Sequence, residues 1–116
     1  MALPHAHPME VIDLAPLGAR LADTPSTSLI RAEGLQLLHI VLRDGQDQPL
    51  HSVACASVLH CLEGRVEVFW PGGVLPLQAG RLVVLPGGQV HGLRARSDAA
   101  VLVTLLAEHA AGGDQR

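Results

Sequence analysis

From residue 35 onward the chain is a succession of short apolar stretches: Leu35–Leu42, Val53–Leu62, Val66–Trp70, Val74–Leu77, Leu82–Leu85 and Val101–Leu106. Between them stand turn formers: Asp44-Gly45, Glu63-Gly64, Pro71-Gly72-Gly73, Ala79-Gly80 and Pro86-Gly87-Gly88. Short stretches at this spacing, punctuated by Gly and Pro, predict the strands of an all-β sandwich or barrel. Arg65-Val66-Glu67-Val68 alternates polar and apolar, as a strand with one face in water should. There is no internal repeat, no heptad pattern and no long amphipathic helix.

Two stretches do not alternate. Leu82-Val83-Val84-Leu85 and Val101–Leu106 are apolar on both faces. In a barrel one face points inward, so the other must be covered. Little chain is left over to cover it, and a second copy is the economical answer, so a homodimer is expected. The first 28 residues hold four of the eight prolines and are read as an arm or lead-in. Residues 29–106 are assigned to the barrel, and residues 107–116 to a polar, Gly-containing C-terminal tail that frays.

Composition narrows the function classes. The 116 residues fit one domain with a real core. With 48% hydrophobic but only 2% aromatic residues, Leu, Val, Ile and Ala must fill that core. A net charge of −3 without a basic cluster leaves no electrostatic footprint for nucleic acid or an anionic membrane. The lack of aromatics also argues against base stacking. The start of the chain lacks the basic and apolar segments of a signal peptide, and no apolar stretch approaches the roughly 20 residues that span a bilayer. A cytoplasmic location is therefore expected, with Cys55 and Cys61 as thiols; their spacing fits neither a metal knuckle nor a redox pair.

The candidate chemistry lies between Gly45 and Ala95. Gly45 is followed by five residues, His51-Ser52-Val53, three residues, Ser57, six residues and Gly64. Gly80 is followed by five residues, Pro86-Gly87-Gly88, two residues and His91. Together, in this order and separated by a hairpin-length segment, these resemble the two conserved motifs of the cupin superfamily. The resemblance covers a little under half of the chain. It implies a single double-stranded β-helix, the RmlC-like jelly-roll barrel.

In that family two histidines and a glutamate of the first motif, with the histidine of the second, bind a divalent metal. Those positions fall on His51, Val53, Ser57 and His91. Valine has no donor, and a neutral hydroxyl is a poor ligand for a divalent ion. His51 and His91 are therefore the metal candidates, for one divalent transition metal (Zn, Fe, Mn or Ni), in a degenerate motif that lacks two of the family's four ligands. Cys55, two residues past Val53, is the candidate third ligand if the strand runs straight, against the plainer reading of a small buried thiol. Val53, Ser57, Leu59 and Gln89 are the expected pocket residues around the histidines. His60 has the opposite parity to Ser57 and should face outward. Asp44, Asp47 and Glu63 fall in turns, where solvation is expected. His5-Ala6-His7 sits beside two prolines near the terminus and supports adventitious chelation at most; His39 interrupts a strand, and His109 lies in the tail.

Three function classes stay open. One is a barrel whose pocket binds or senses a small molecule, with His51, Ser57, Gln89 and His91 as polar anchors among apolar walls, and with or without a metal on the two histidines. A second is a metal-dependent enzyme of the dioxygenase or isomerase kind acting on a small metabolite. The missing ligands and the absence of an inward carboxylate to serve as base weigh against it. The third is a barrel kept for assembly alone, against which two retained imidazoles argue mildly.

Overall fold

The structure is a computed structural model that describes residues 6–106. The expected C-terminal tail, His109 and His5 lie outside the described residues. A 3-10 helix over Gly18–Asp23 precedes nine strands: β1 (Thr27–Ala32), β2 (Leu35–Leu42), β3 (Asp47–His51), β4 (Ser57–Glu63), β5 (Arg65–Trp70), β6 (Gly73–Gln78), β7 (Leu82–Leu85), β8 (His91–Ala95) and β9 (Ala99–Leu105). They form a five-stranded sheet in the order β1-β2-β9-β4-β7 and a four-stranded sheet in the order β3-β8-β5-β6. Every strand pair is antiparallel. This is the jelly-roll that the motifs implied: two sheets face to face, with chain crossovers between them.

Register decides which side chains reach the core. In the five-stranded sheet Leu59 stands opposite Val83 on one side and Val103 on the other, and Val103 stands opposite Leu38. Directly opposed residues share a face, so this row points inward. The four-stranded sheet answers with Val66, Val68, Leu77, Leu93 and Ala95, all buried. The two rows interlock as an aliphatic core, as the scarcity of aromatics requires; Phe69 and Trp70 are only partly buried.

The strands absent from the apolar pattern each have a reason. β3 is an edge strand with four of five residues exposed, and it contains Pro49, which an edge tolerates because one row of N–H groups needs no partner. β1 is the other sheet's edge and carries a β-bulge between Ser28 and Ile30, which breaks its alternation. β8 is buried, yet Gly92 and Arg94 interrupt its run. Conversely, the stretch from Val53 does not enter a strand until Ser57; residues 52–56 loop across the barrel end, held by Gly88 N–H to the Val53 carbonyl (2.7 Å) and Leu106 N–H to the Ala56 carbonyl (3.2 Å).

The outer face of the five-stranded sheet is largely apolar but carries two histidines. His39, Leu102, His60 and Leu82 form one row across β2, β9, β4 and β7. Part of this face is covered by the chain's own lead-in, a cover the sequence pattern did not reveal. Leu21 is buried, and the Leu17 and Gly18 N–H groups donate to the two carboxylate oxygens of Glu63 at 2.8 and 3.0 Å. Glu63 is therefore not a free turn carboxylate: it anchors the 3-10 helix by satisfying N–H groups at its start. On the β7 side Leu82 and Val84 stay 55% and 60% exposed.

Candidate functional site

The two motif histidines meet because β3 and β8 are neighbours. His51 ends β3, His91 begins β8, and the register sets them directly opposite one another. Their ring centroids are 4.7 Å apart and the planes are inclined by 47°. His91 is buried, at 4% exposure, whereas His51 opens to solvent.

Each ring is fixed in the same way. His51 Nδ1 lies 3.0 Å from the Pro49 carbonyl, and His91 Nδ1 lies 2.9 Å from the Gln89 carbonyl. A carbonyl oxygen only accepts, so each Nδ1 carries the hydrogen and donates it. In the neutral ring Nε2 then keeps its lone pair. Two imidazoles with bare Nε2 atoms thus stand side by side, both oriented from the backbone two residues upstream.

They border a cavity of about 80 Å³. Val53, Ser57 and Leu59 also line it, as expected for the pocket, together with Gln48, Leu38, Ile40, Val103 and Leu105. Ser57 is 2% exposed, and it borders the cavity between the two sheets. The cavity is therefore bordered by two imidazoles, a hydroxyl and the Gln48 amide among aliphatic walls.

Two expected residues are elsewhere. Cys55 does not line the cavity: the strand that should have carried it ends at His51, and the chain bends through Ala54 and Cys55. Gln89 does not line it either; its side-chain amide donates to the Val90 carbonyl at 3.0 Å, and its contribution is the main-chain oxygen that orients His91. Gln48 was missed. It stands opposite the inward-facing Leu93, and its inward parity would have been readable had Asp47–His51 been recognised as a strand.

The donor set does not fit the divalent metal of the family. Val53 and Ser57 occupy two of its four ligand positions, and among the described residues no group of three or more His, Cys, Asp or Glu side chains is placed to hold an ion. Two imidazoles fall short of the three protein ligands that such sites use.

Away from the cavity, Cys61 is fully buried, and burial pushes its thiol up from the ordinary value; its Sγ lies 3.4 Å from both the Glu63 and Gly64 carbonyls. Burial on the outer face pushes His39 down, against the pull of the Glu63 carboxylate. Cys55 and Cys61 are both free thiols. No helix among the described residues is long and apolar enough to cross a membrane.

Neither a family model nor a curated protein matches the chain. Solved structures do. An RmlC-like cupin protein from Desulfovibrio desulfuricans superposes with a TM-score of 0.71 at 28% identity, over 84% of this chain and 97% of that one. A conserved protein of unknown function from Streptococcus pyogenes gives 0.72 at 19% identity, over 95% and 97%. An HTH_3 family transcriptional regulator from Vibrio cholerae gives 0.61 at 28% identity, over 72% of this chain and 50% of that chain.

Proposed function

We propose that this member of the cupin superfamily is a small-molecule binding module whose ligand is held by Nε2 of His51 and Nε2 of His91. The observation that carries the reading is the pair of Nδ1–carbonyl hydrogen bonds, which leaves two acceptors on rings that border the same small space. Two imidazole acceptors favour a ligand that donates. The Ser57 hydroxyl can complete the set in either sense, and the Gln48 amide lies beside it.

Size sets a second constraint. About 80 Å³ is well below the roughly 300–1,000 Å³ of sites that engulf a whole metabolite. The cavity accepts a group of a few heavy atoms, with two hydrogen-bond donors, and any remainder of the ligand lies outside over the exposed His51. The Vibrio cholerae regulator, with a matching segment in a longer chain, supports a sensing rather than a catalytic use of such a barrel. Among the described residues, neither a third metal ligand nor a carboxylate stands at the cavity to support the catalytic alternative.

The test is binding of small two-donor probes (urea, acetamide, methylguanidine) followed by NMR shifts of the His51 and His91 rings. The expected result is saturable perturbation of both rings by at least one probe, abolished in His51→Ala. No perturbation by any probe, or perturbation unchanged in the variant, overturns the reading.

We infer further that the β7 side of the outer sheet face pairs with a second copy of the chain. Leu82 and Val84 present exposed apolar surface there, with Val58 and His60 beside them on β4. Light scattering coupled to size exclusion should report a dimer at micromolar concentration, and a monomer would remove the inference.

A further inference from the structure

A second concavity, larger than the one at the histidines, lies elsewhere on the barrel. It lies at the opposite end of the four-stranded sheet, where β5 begins and β6 and β8 end, as an open groove of about 770 Å³. Its rim carries Arg65, Arg81 and Arg96, and Pro76, Leu77 and Gln78 form part of its floor and wall. The volume falls within the range of small-molecule sites, which the histidine cavity does not reach.

The charges there are arranged against the protein's own electrostatic interest. Arg96 N–H donates to the Arg65 carbonyl at 2.9 Å, one step beyond the Val66–Ala95 pairing, so two cations stand opposite one another on adjacent strands. Like charges in that relation destabilise a sheet. Arg81 joins them from the turn after β6. Its main chain is fixed by its own N–H to the Gln78 carbonyl (3.0 Å) and by the Cys61 N–H to its carbonyl (2.9 Å), while its side chain is exposed.

Compensation is incomplete. Glu67 reaches Arg96 only at 3.9 Å, and Arg65 and Arg81 make no ion pair within 4 Å among the described residues. Asp44 is the other carboxylate on the rim. The neighbouring Arg94 is already matched by Asp47 at 3.1 Å and adds no free charge. The chain contains no lysine, so all eight of its cationic side chains are arginines, and three of them converge here although the net charge is −3. Guanidinium is the group that grips carboxylate or phosphate oxygens in pairs.

We propose that this groove binds a small oligoanion, a molecule with two or more carboxylate or phosphate groups on a compact carbon or phosphate skeleton. Arg65, Arg81 and Arg96 hold the anionic groups, and Pro76, Leu77 and the Gln78 amide meet the skeleton. The site is separate from the histidine cavity, and its ligand need not be the one bound there.

Calorimetric titration of the full chain at low ionic strength, with citrate in one arm and inorganic pyrophosphate in the other, tests this and distinguishes carboxylate from phosphate. One saturable site is expected for at least one probe. Arg65→Gln and Arg96→Gln should each weaken it about tenfold or more, and Arg65→Lys less. Arg20→Gln, which removes an exposed arginine outside the groove, and His51→Ala should leave it unchanged. Circular dichroism confirms that the variants fold. The absence of saturable binding by both probes overturns the proposal, as does equal binding by wild type and the two glutamine variants.

Discussion

Replacing Gly64 by alanine should cost far more than replacing Gly80, although both glycines have positive φ. Gly64 has φ +73° and Gly80 φ +90°. An L side chain in that region costs roughly 1–2 kcal/mol, partly offset by about 0.4–1 kcal/mol from the stiffer unfolded chain. For Gly80 nothing lies within 4 Å of the added Cβ, so the net loss should be about 1 kcal/mol. At Gly64 the Cβ would sit 2.1 Å from the Asp98 carbonyl oxygen, 2.7 Å from Ser97 Oγ and 3.0 Å from Ala99 Cα. The first and last of these are backbone, so the β8–β9 connection must move as a unit. It is held in place by Ser97 Oγ, which accepts from the Arg65 N–H at 3.0 Å. Overpacking of this kind adds about 1–3 kcal/mol. The Gly64→Ala total of about 3 kcal/mol is a large share of the roughly 5–15 kcal/mol that holds a domain together. Urea unfolding of both variants, with an unchanged slope, measures the difference. If Gly64→Ala falls within about 0.5 kcal/mol of Gly80→Ala, the close hairpin-to-loop contact at Asp98 is wrong.

Other consequences are as open to measurement. Burial depresses His39, so below its ordinary value of 6.5 the unfolded chain takes up a proton that the folded chain resists, and stability falls as pH drops through that point. His39→Leu should therefore shrink the loss of Tm between about pH 7.5 and about pH 5.5; an undiminished loss rules out His39 as its source. Val53→His places a third imidazole beside His51 and His91 at the cavity and should confer stoichiometric zinc on dialysed protein by elemental analysis, well above wild type. Equal zinc in both proteins would mean that Val53 is not what interrupts the site. Leu82→Asp with Val84→Asp sets charge on the exposed outer face and should yield a folded monomer by light scattering; a persisting dimer places the interface elsewhere.

Much of the barrel was legible because one-sided burial writes itself as a hydrophobic pattern. β5 follows its polar–apolar alternation, β2 and β7 coincide with their apolar runs, and His51 and His91 of the two motifs stand opposite one another. What escaped notice had physical reasons. β3 is an exposed edge, so no buried face marks it, and Gln48 was lost with it. Cys55 was placed by assuming a straight strand, but the chain leaves the sheet after His51 and bends. Glu63 looks like any turn carboxylate until residues 17 and 18 fold back onto it, a contact across 46 and 45 positions that no local pattern records. The arginine groove likewise draws on four separate segments, and only the sheet order unites them.

The most direct measurement is a long-range ¹H–¹⁵N correlation spectrum of the imidazole rings of His51 and His91 in neutral form, which reports which nitrogen carries the hydrogen. Both rings should appear as the Nδ1–H tautomer with a bare Nε2, because Pro49 and Gln89 each offer an accepting carbonyl to Nδ1. A hydrogen on Nε2 of either ring would contradict the reading, since the cavity would no longer present two acceptors to a ligand.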